Sequence, residues 1–147
     1  MNSSVNIENV LEEKGIFVST TVGVSMYPML RNRKDTIVIK PVQGRLKKYD
    51  VPLYRRGSDY VLHRIVKVTS DGYVICGDNC LNKEYQVTDD DIVGVLSGFF
   101  RGNKKVDMSG LTYRIYCRVW VACYPVRCVL KRCWWMMKRV VKKCISK

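Results

Sequence analysis

Several things are scarce or missing in this 147-residue chain. It has one histidine, so any imidazole chemistry falls on His63. The N-terminus is polar and has no apolar core segment, which argues against a secretory signal peptide. The longest uncharged stretch in the last third runs from Val119 to Val126. That is far short of the ~20 apolar residues of a membrane span. Residues 111–147 contain no acid at all. The seven cysteines, at 76, 80, 117, 123, 128, 133 and 144, are odd in number and irregularly spaced. Without a secretory signal they read as free thiols of a reducing, cytoplasmic compartment, not as a disulfide framework. Cys76-x-x-x-Cys80 has one histidine elsewhere and no second cysteine pair beside it, so zinc is not expected, and no other metal or cofactor is implied.

What is present divides in two. A chain of this length makes one domain with its own core. Its net charge of +13 is unevenly placed. Residues 1–110 carry 16 Lys+Arg against 13 Asp+Glu, whereas residues 111–147 carry 10 Lys+Arg against none. A nearly balanced body therefore precedes a cationic tail.

In the body, residues 5–14 suit a short helix, capped near Ser4 or Asn6 and stopped by Gly15. Residues 16–22 are β-branched and aromatic and predict the first strand. Thr36 to Lys40 alternates and predicts the second. Val51 to Arg56 reads as an edge strand because Pro52 cannot donate to a ladder. Tyr60 to Thr69 predicts one strong strand, turning at Asp71-Gly72 into Tyr73 to Cys76. Ile92 to Phe100 and a short stretch near Val106 close the body. Many short strands with glycine turns indicate a mainly β, barrel-type body, with a short N-terminal helix before it. Asp89, Asp90 and Asp91 read as a solvated turn.

The first strand runs into Gly23-Val24-Ser25-Met26-Tyr27-Pro28-Met29-Leu30. Gly23 permits a close backbone approach, and Pro28 pushes Tyr27 away from helix. This turn presents the Ser25 hydroxyl at a rigid edge. Taken alone, the stretch is equally a strand and a proline turn with a solvated serine. His63, between apolar Val61 and Ile65, reads in the same way as a half-buried histidine or as a general base.

Gly-x-Ser-Met-x-Pro-x-Leu resembles the nucleophile motif of the signal peptidase and LexA-type serine peptidases. Three further blocks resemble that superfamily in the same order: Val61-Leu62-His63-Arg64-Ile65-Val66, Gly77-Asp78-Asn79 and Asp91-Ile92-Val93-Gly94-Val95-Leu96. The match spans roughly residues 16–100 and is nearest to the Ser/His endoplasmic-reticulum-type signal peptidases, since many relatives carry Lys where this chain has His63. The sequence leads to no expectation of the membrane anchor that signal peptidases usually carry.

The resemblance implies a peptidase domain over residues 1–110, with Ser25 as nucleophile, His63 as general base and the Ser25 backbone N–H at the oxyanion. It implies Asp78 as the preferred third member, with Glu84 as the alternative acid. An extended peptide or the leader of a precursor would pair with the strand carrying Val18, Thr20 and Val22. Two rivals stand beside this endopeptidase. One is a self-cleaving LexA- or UmuD-like regulator, disfavoured by the 24 residues before Ser25 and by the absence of an upstream Ala-Gly or Cys-Gly site. The other is a non-catalytic membrane- or partner-binding module on a peptidase fold.

In the tail, Val126, Leu130, Cys133, Met137, Val140 and Cys144 recur at helical spacing, widened by Val129, Trp134, Val141 and Ile145. Arg127, Lys131, Arg132, Lys138, Arg139, Lys142 and Lys143 lie largely off that stripe. The spacing predicts a basic amphipathic helix over 126–145, preceded by a helix over Leu111 to Tyr124 that ends at Pro125. Such a helix either docks its stripe on the body or lies peripherally on an anionic membrane surface. Nucleic acid ranks below both, since nothing else marks a recognition helix.

Overall fold

The computed structural model describes residues 6–145, with side chains through Val141. Ser4 and the side chains of Lys142, Lys143, Cys144 and Ile145 lie outside the described residues. Helix α1 covers Ile7–Lys14. Its first turn is closed by the Asn6 side chain, which accepts from the Glu8 N–H, and its end by left-handed Gly15. It buries Leu11 and leaves its three glutamates toward solvent or partly so.

Among the described residues the strands are β1 (Phe17–Thr20), β2 (Asp35–Lys40), β3 (Pro52–Arg56), β4 (Asp59–Leu62), β5 (Arg64–Val68), β6 (Tyr73–Cys76), β7 (Glu84–Val87), β8 (Ile92–Arg101) and β9 (Lys104–Val106). Strands β1-β2-β8-β3-β4 form one antiparallel sheet that curls into a half-barrel, and β9 pairs with β8. Strands β5-β6-β7 form a second sheet. With helices at both ends the fold is mixed α/β, less purely β than the strand pattern suggests.

Two expectations fail for identifiable reasons. Strand β3 is not an edge: it pairs with β8 on one side and β4 on the other. Pro52 is tolerated because it is the first residue of the strand, and the Leu96 N–H bonds to the carbonyl of Val51 instead. The single strand expected over 60–69 is two strands, β4 in the half-barrel and β5 in the small sheet, with His63 at the crossing. No Gly, Pro, Asn or Asp marks the break between Leu62 and Arg64, so the run of strand-forming residues hides it.

Each sheet has its own apolar cluster. Leu11, Met26, Met29, Leu30, Ile37, Ile39, Val51, Leu53, Leu96 and Phe99 fill the half-barrel. Leu46, Tyr54, Ile65, Tyr73, Ile75 and Val87 pack under the small sheet. The loop that carries Ser25, from the half-barrel, and the turn that carries Asn79, from the small sheet, are hydrogen-bonded to each other.

Helix α2 (Leu111–Ala122) and helix α3 (Tyr124–Ile145) follow. The break falls at Cys123, two residues earlier than Pro125 suggests. Pro125 is in the first turn of α3, where its missing N–H costs nothing. Among the described residues no helix is long and apolar enough to cross a membrane.

Candidate active site

Gly23 has φ 97°, a left-handed conformation that disfavours any residue with a Cβ. Its N–H donates to Asn32 Oδ1 at 2.9 Å. Just after it the chain turns through Ser25 to a cis Tyr27–Pro28 peptide, and Met26, Met29 and Leu30 anchor the turn in the half-barrel core. Ser25 itself stays half-buried. Its carbonyl accepts the Asn79 N–H at 2.7 Å, while Asn79 Nδ2 donates to the Val24 carbonyl at 3.1 Å. The Gly77-Asp78-Asn79 turn thus braces the serine loop from the opposite sheet.

Gly77 is required by space, not by dihedral freedom. A Cβ there would lie 2.7 Å from the Ser25 carbonyl oxygen, 2.7 Å from Cys80 Sγ and 3.0 Å from His63 Cδ2. The serine loop, the histidine ring edge and the Cys80 thiol converge on this one glycine.

Ser25 and His63 line the same cleft, of about 570 Å³, together with Thr20, Val22, Gly23 and Cys80. Its floor is apolar, with Phe17, Met26, Leu30, Ile37 and Leu53. Among the described residues Ser25 Oγ and His63 make no hydrogen bond to each other. Catalytic hydrogen bonds often tighten only in the complex with substrate.

The two acids are arranged differently from the preferred assignment. Asp78 does not hydrogen-bond to His63. Its carboxylate accepts from Arg64 Nε and Nη2, both at 2.8 Å, in a pair almost wholly removed from solvent. Tyr116 Oη also donates to Asp78 Oδ2 at 3.0 Å. Glu84 instead sits on the histidine, with Oε1 2.9 Å from Nδ1. Its longer side chain reaches from β7, a strand that the polar sequence Glu84-Tyr85-Gln86 does not announce.

A carboxylate only accepts, so the proton of that contact is on Nδ1 and the lone pair is on Nε2. Tyr54 Oη lies 3.2 Å from the same Nδ1. Its pKa is pushed well above the usual phenol range by burial and then by Glu84, which keeps it a neutral hydroxyl. Burial lowers the His63 pKa below the ordinary imidazole value, and the charge and hydrogen bond of Glu84 oppose that only in part. The ring is therefore neutral at pH 7 with its basic nitrogen available.

The Ser25 N–H donates to no group among the described residues, as an oxyanion donor requires. Strand β1 pairs only with β2, so its other edge has no partner strand among the described residues. Of the residues assigned to substrate pairing, Thr20 and Val22 line the cleft, and Val22 is 81 % exposed. Val18 is exposed but not among the cleft residues. Sequence reasoning missed Thr21, a buried cleft residue whose hydroxyl has one proton to share between the carbonyls of Arg31 (2.8 Å) and Asp35 (3.1 Å). It also missed Cys80, at the cleft wall with a pKa raised by burial. No family model matches the chain, and no curated protein does either.

Proposed function

We propose that this protein is a serine endopeptidase of the signal-peptidase and LexA-like kind, cleaving an extended peptide or the leader of a precursor. One observation carries the reading: Ser25 and His63 line one cleft, and Glu84 fixes His63 in the tautomer that a general base needs. In this mechanism His63 Nε2 takes the Ser25 proton as Oγ attacks the peptide carbonyl. Glu84 stabilises the imidazolium formed, and the Ser25 N–H meets the oxyanion. His63 then protonates the leaving amine, and water, deprotonated by the same nitrogen, releases the acyl group. The unpaired edge of β1 aligns the substrate main chain.

Ser25→Ala and His63→Ala are each expected to abolish cleavage of a peptide library while the thermal melt is kept. The double variant should be no worse than either single one, since the residues act as a unit. Substantial turnover by Ser25→Ala would end the proposal. A mass spectrum of the purified chain separates out the self-cleaving alternative, which requires a shortened product that is absent in Ser25→Ala.

A further inference from the structure

An amphipathic helix normally turns its apolar face to the protein core. Helix α3 does the reverse. At about 100° per residue, Val126, Val129, Leu130, Trp134, Met136, Met137, Val140 and Val141 fall on one arc of roughly 160°. Every one of them is exposed, Leu130 at 64 % and Met137 at 60 %. Contact with the body comes from the polar side. Arg127 Nη1 donates to the Asp78 carbonyl, and Lys131 Nζ donates to the carbonyl and side-chain oxygens of Asn79. Among the described side chains the polar half also holds Tyr124, Pro125, Cys128 and Trp135.

Helix α2 differs on its inner side but also leaves an apolar stripe outside. Its inner side carries Tyr113, Tyr116, Cys117 and Trp120 against Arg64 and Asp78. Its outer side shows Leu111, Ile115 and Val119, spaced four apart and exposed.

Charge selects the occupant of these outer faces. Residues 111–147 carry ten Lys and Arg and no acid, so a second copy of this chain would bring like charge to like charge. Nucleic acid would be read by the basic side, but Arg127 and Lys131 on that side already hold the body. An anionic lipid surface satisfies both halves of the pattern. It takes the apolar arc into the acyl boundary and meets the flanking cations at the headgroups. Trp134, with the Lys138 ammonium 3.6 Å above its ring centroid, has the character of an interfacial residue. We infer that the outer faces of α2 and α3 form a peripheral docking surface for anionic membranes.

The test is co-sedimentation of the full chain with phosphatidylcholine vesicles and with vesicles containing 30 % phosphatidylglycerol, a mole fraction of roughly one-third chosen to give a strongly negative surface. Binding is expected to the anionic vesicles and to weaken steeply at 1 M salt, where the screening length is about 3 Å. Lys138→Glu/Arg139→Glu should reduce partitioning at least about tenfold. Leu130→Glu/Met137→Glu should do the same, with an unchanged thermal melt in both variants. Retention in the supernatant with anionic vesicles overturns the inference. So does dimerisation in solution that Leu130→Glu/Met137→Glu abolishes, which would assign the face to a second copy. Equal binding of an oligonucleotide by wild type and by Leu130→Glu/Met137→Glu, with no vesicle binding, would overturn it in favour of nucleic acid.

Discussion

The body and the outer tail treat charge in opposite ways. In the body Arg64 is fully buried, and every nitrogen of its guanidinium has a partner: Asp78, the Tyr49 carbonyl, Tyr113, Cys117 or Met29. Tyr113 and Tyr116 place their rings 5.9 and 5.8 Å from it. In α3 the side chains of residues 132–141 are all exposed, cations and apolar groups alike. The body therefore depends on polar satisfaction at depth, whereas the outer tail has no buried group to satisfy. Loss of a partner should be costly in one region and nearly free in the other.

The boundary between these regimes runs within the tail, between α2 and the outer part of α3. The largest expected effect tests that placement. A chain ended after Gly110 loses α2, and with it the Tyr113 and Cys117 contacts to Arg64 and the Tyr116 and Trp120 contacts to Asp78. It should lose its cooperative melt. A chain ended after Lys131 keeps every one of those contacts and should melt within a few degrees of the intact protein, a difference of order 1 kcal/mol or less. Equal damage from the two truncations, seen by circular dichroism, would erase the distinction between inner and outer tail.

Next in size is a contrast between the two acids of the body. Asp78→Asn leaves Arg64 buried without its counter-charge and should cost about 3–5 kcal/mol in chemical denaturation. Glu84→Gln touches a half-exposed carboxylate and should change stability little. It should lower kcat by on the order of 10²- to 10⁴-fold, because the histidine loses the group that orients it and stabilises its charged form. The opposite pattern, with folded but inactive Asp78→Asn and fully active Glu84→Gln, would restore Asp78 as the acid of the mechanism.

These two acids also show what is and is not legible in the sequence. The Ser25 turn is legible because Gly23 and Pro28 constrain the backbone locally. His63 is legible because there is no other imidazole. The choice of acid is not, because it depends on reach across 21 residues and on β7. That strand lacks β-branched alternation and carries Gln86 at φ 67°. A buried Arg64 competes for the nearer carboxylate, and nothing in a strand pattern reveals that an arginine points inward. The stripe of α3 is legible from its spacing. Which side meets the body is not, since its partners there are mostly main-chain carbonyls, those of Asp78, Asn79 and Leu81, which carry no signature of their own.

The smallest effect concerns protons on His63. Burial places its folded pKa below the ordinary 6.5, against the pull of Glu84. The unfolded chain, with a value near ~6.5, therefore binds more protons than the folded one in the window below it. Stability from this group is fully present above about pH 6.5 and declines as pH falls toward the folded pKa. Each tenfold difference in proton affinity between the folded and unfolded histidine is worth at most ~1.4 kcal/mol of that decline. The carboxylates act in a separate, more acidic window. Asp35, held low by its bonds to Arg31 against the cost of burial, loses its contribution as pH falls through the usual carboxylate range toward its lower folded pKa. Activity should follow the same histidine, rising with pH on a limb below 6.5. Glu84→Gln removes the influence that raises the His63 pKa, so its residual activity should show that limb at still lower pH. No lysine lines the cleft among the described residues. A limb in the lysine range, with His63→Ala still active, would therefore require Lys34, Lys40 or Lys67 to reach Ser25 from elsewhere. That result would remove His63 from the chemistry and leave the body a scaffold whose buried charges serve folding alone.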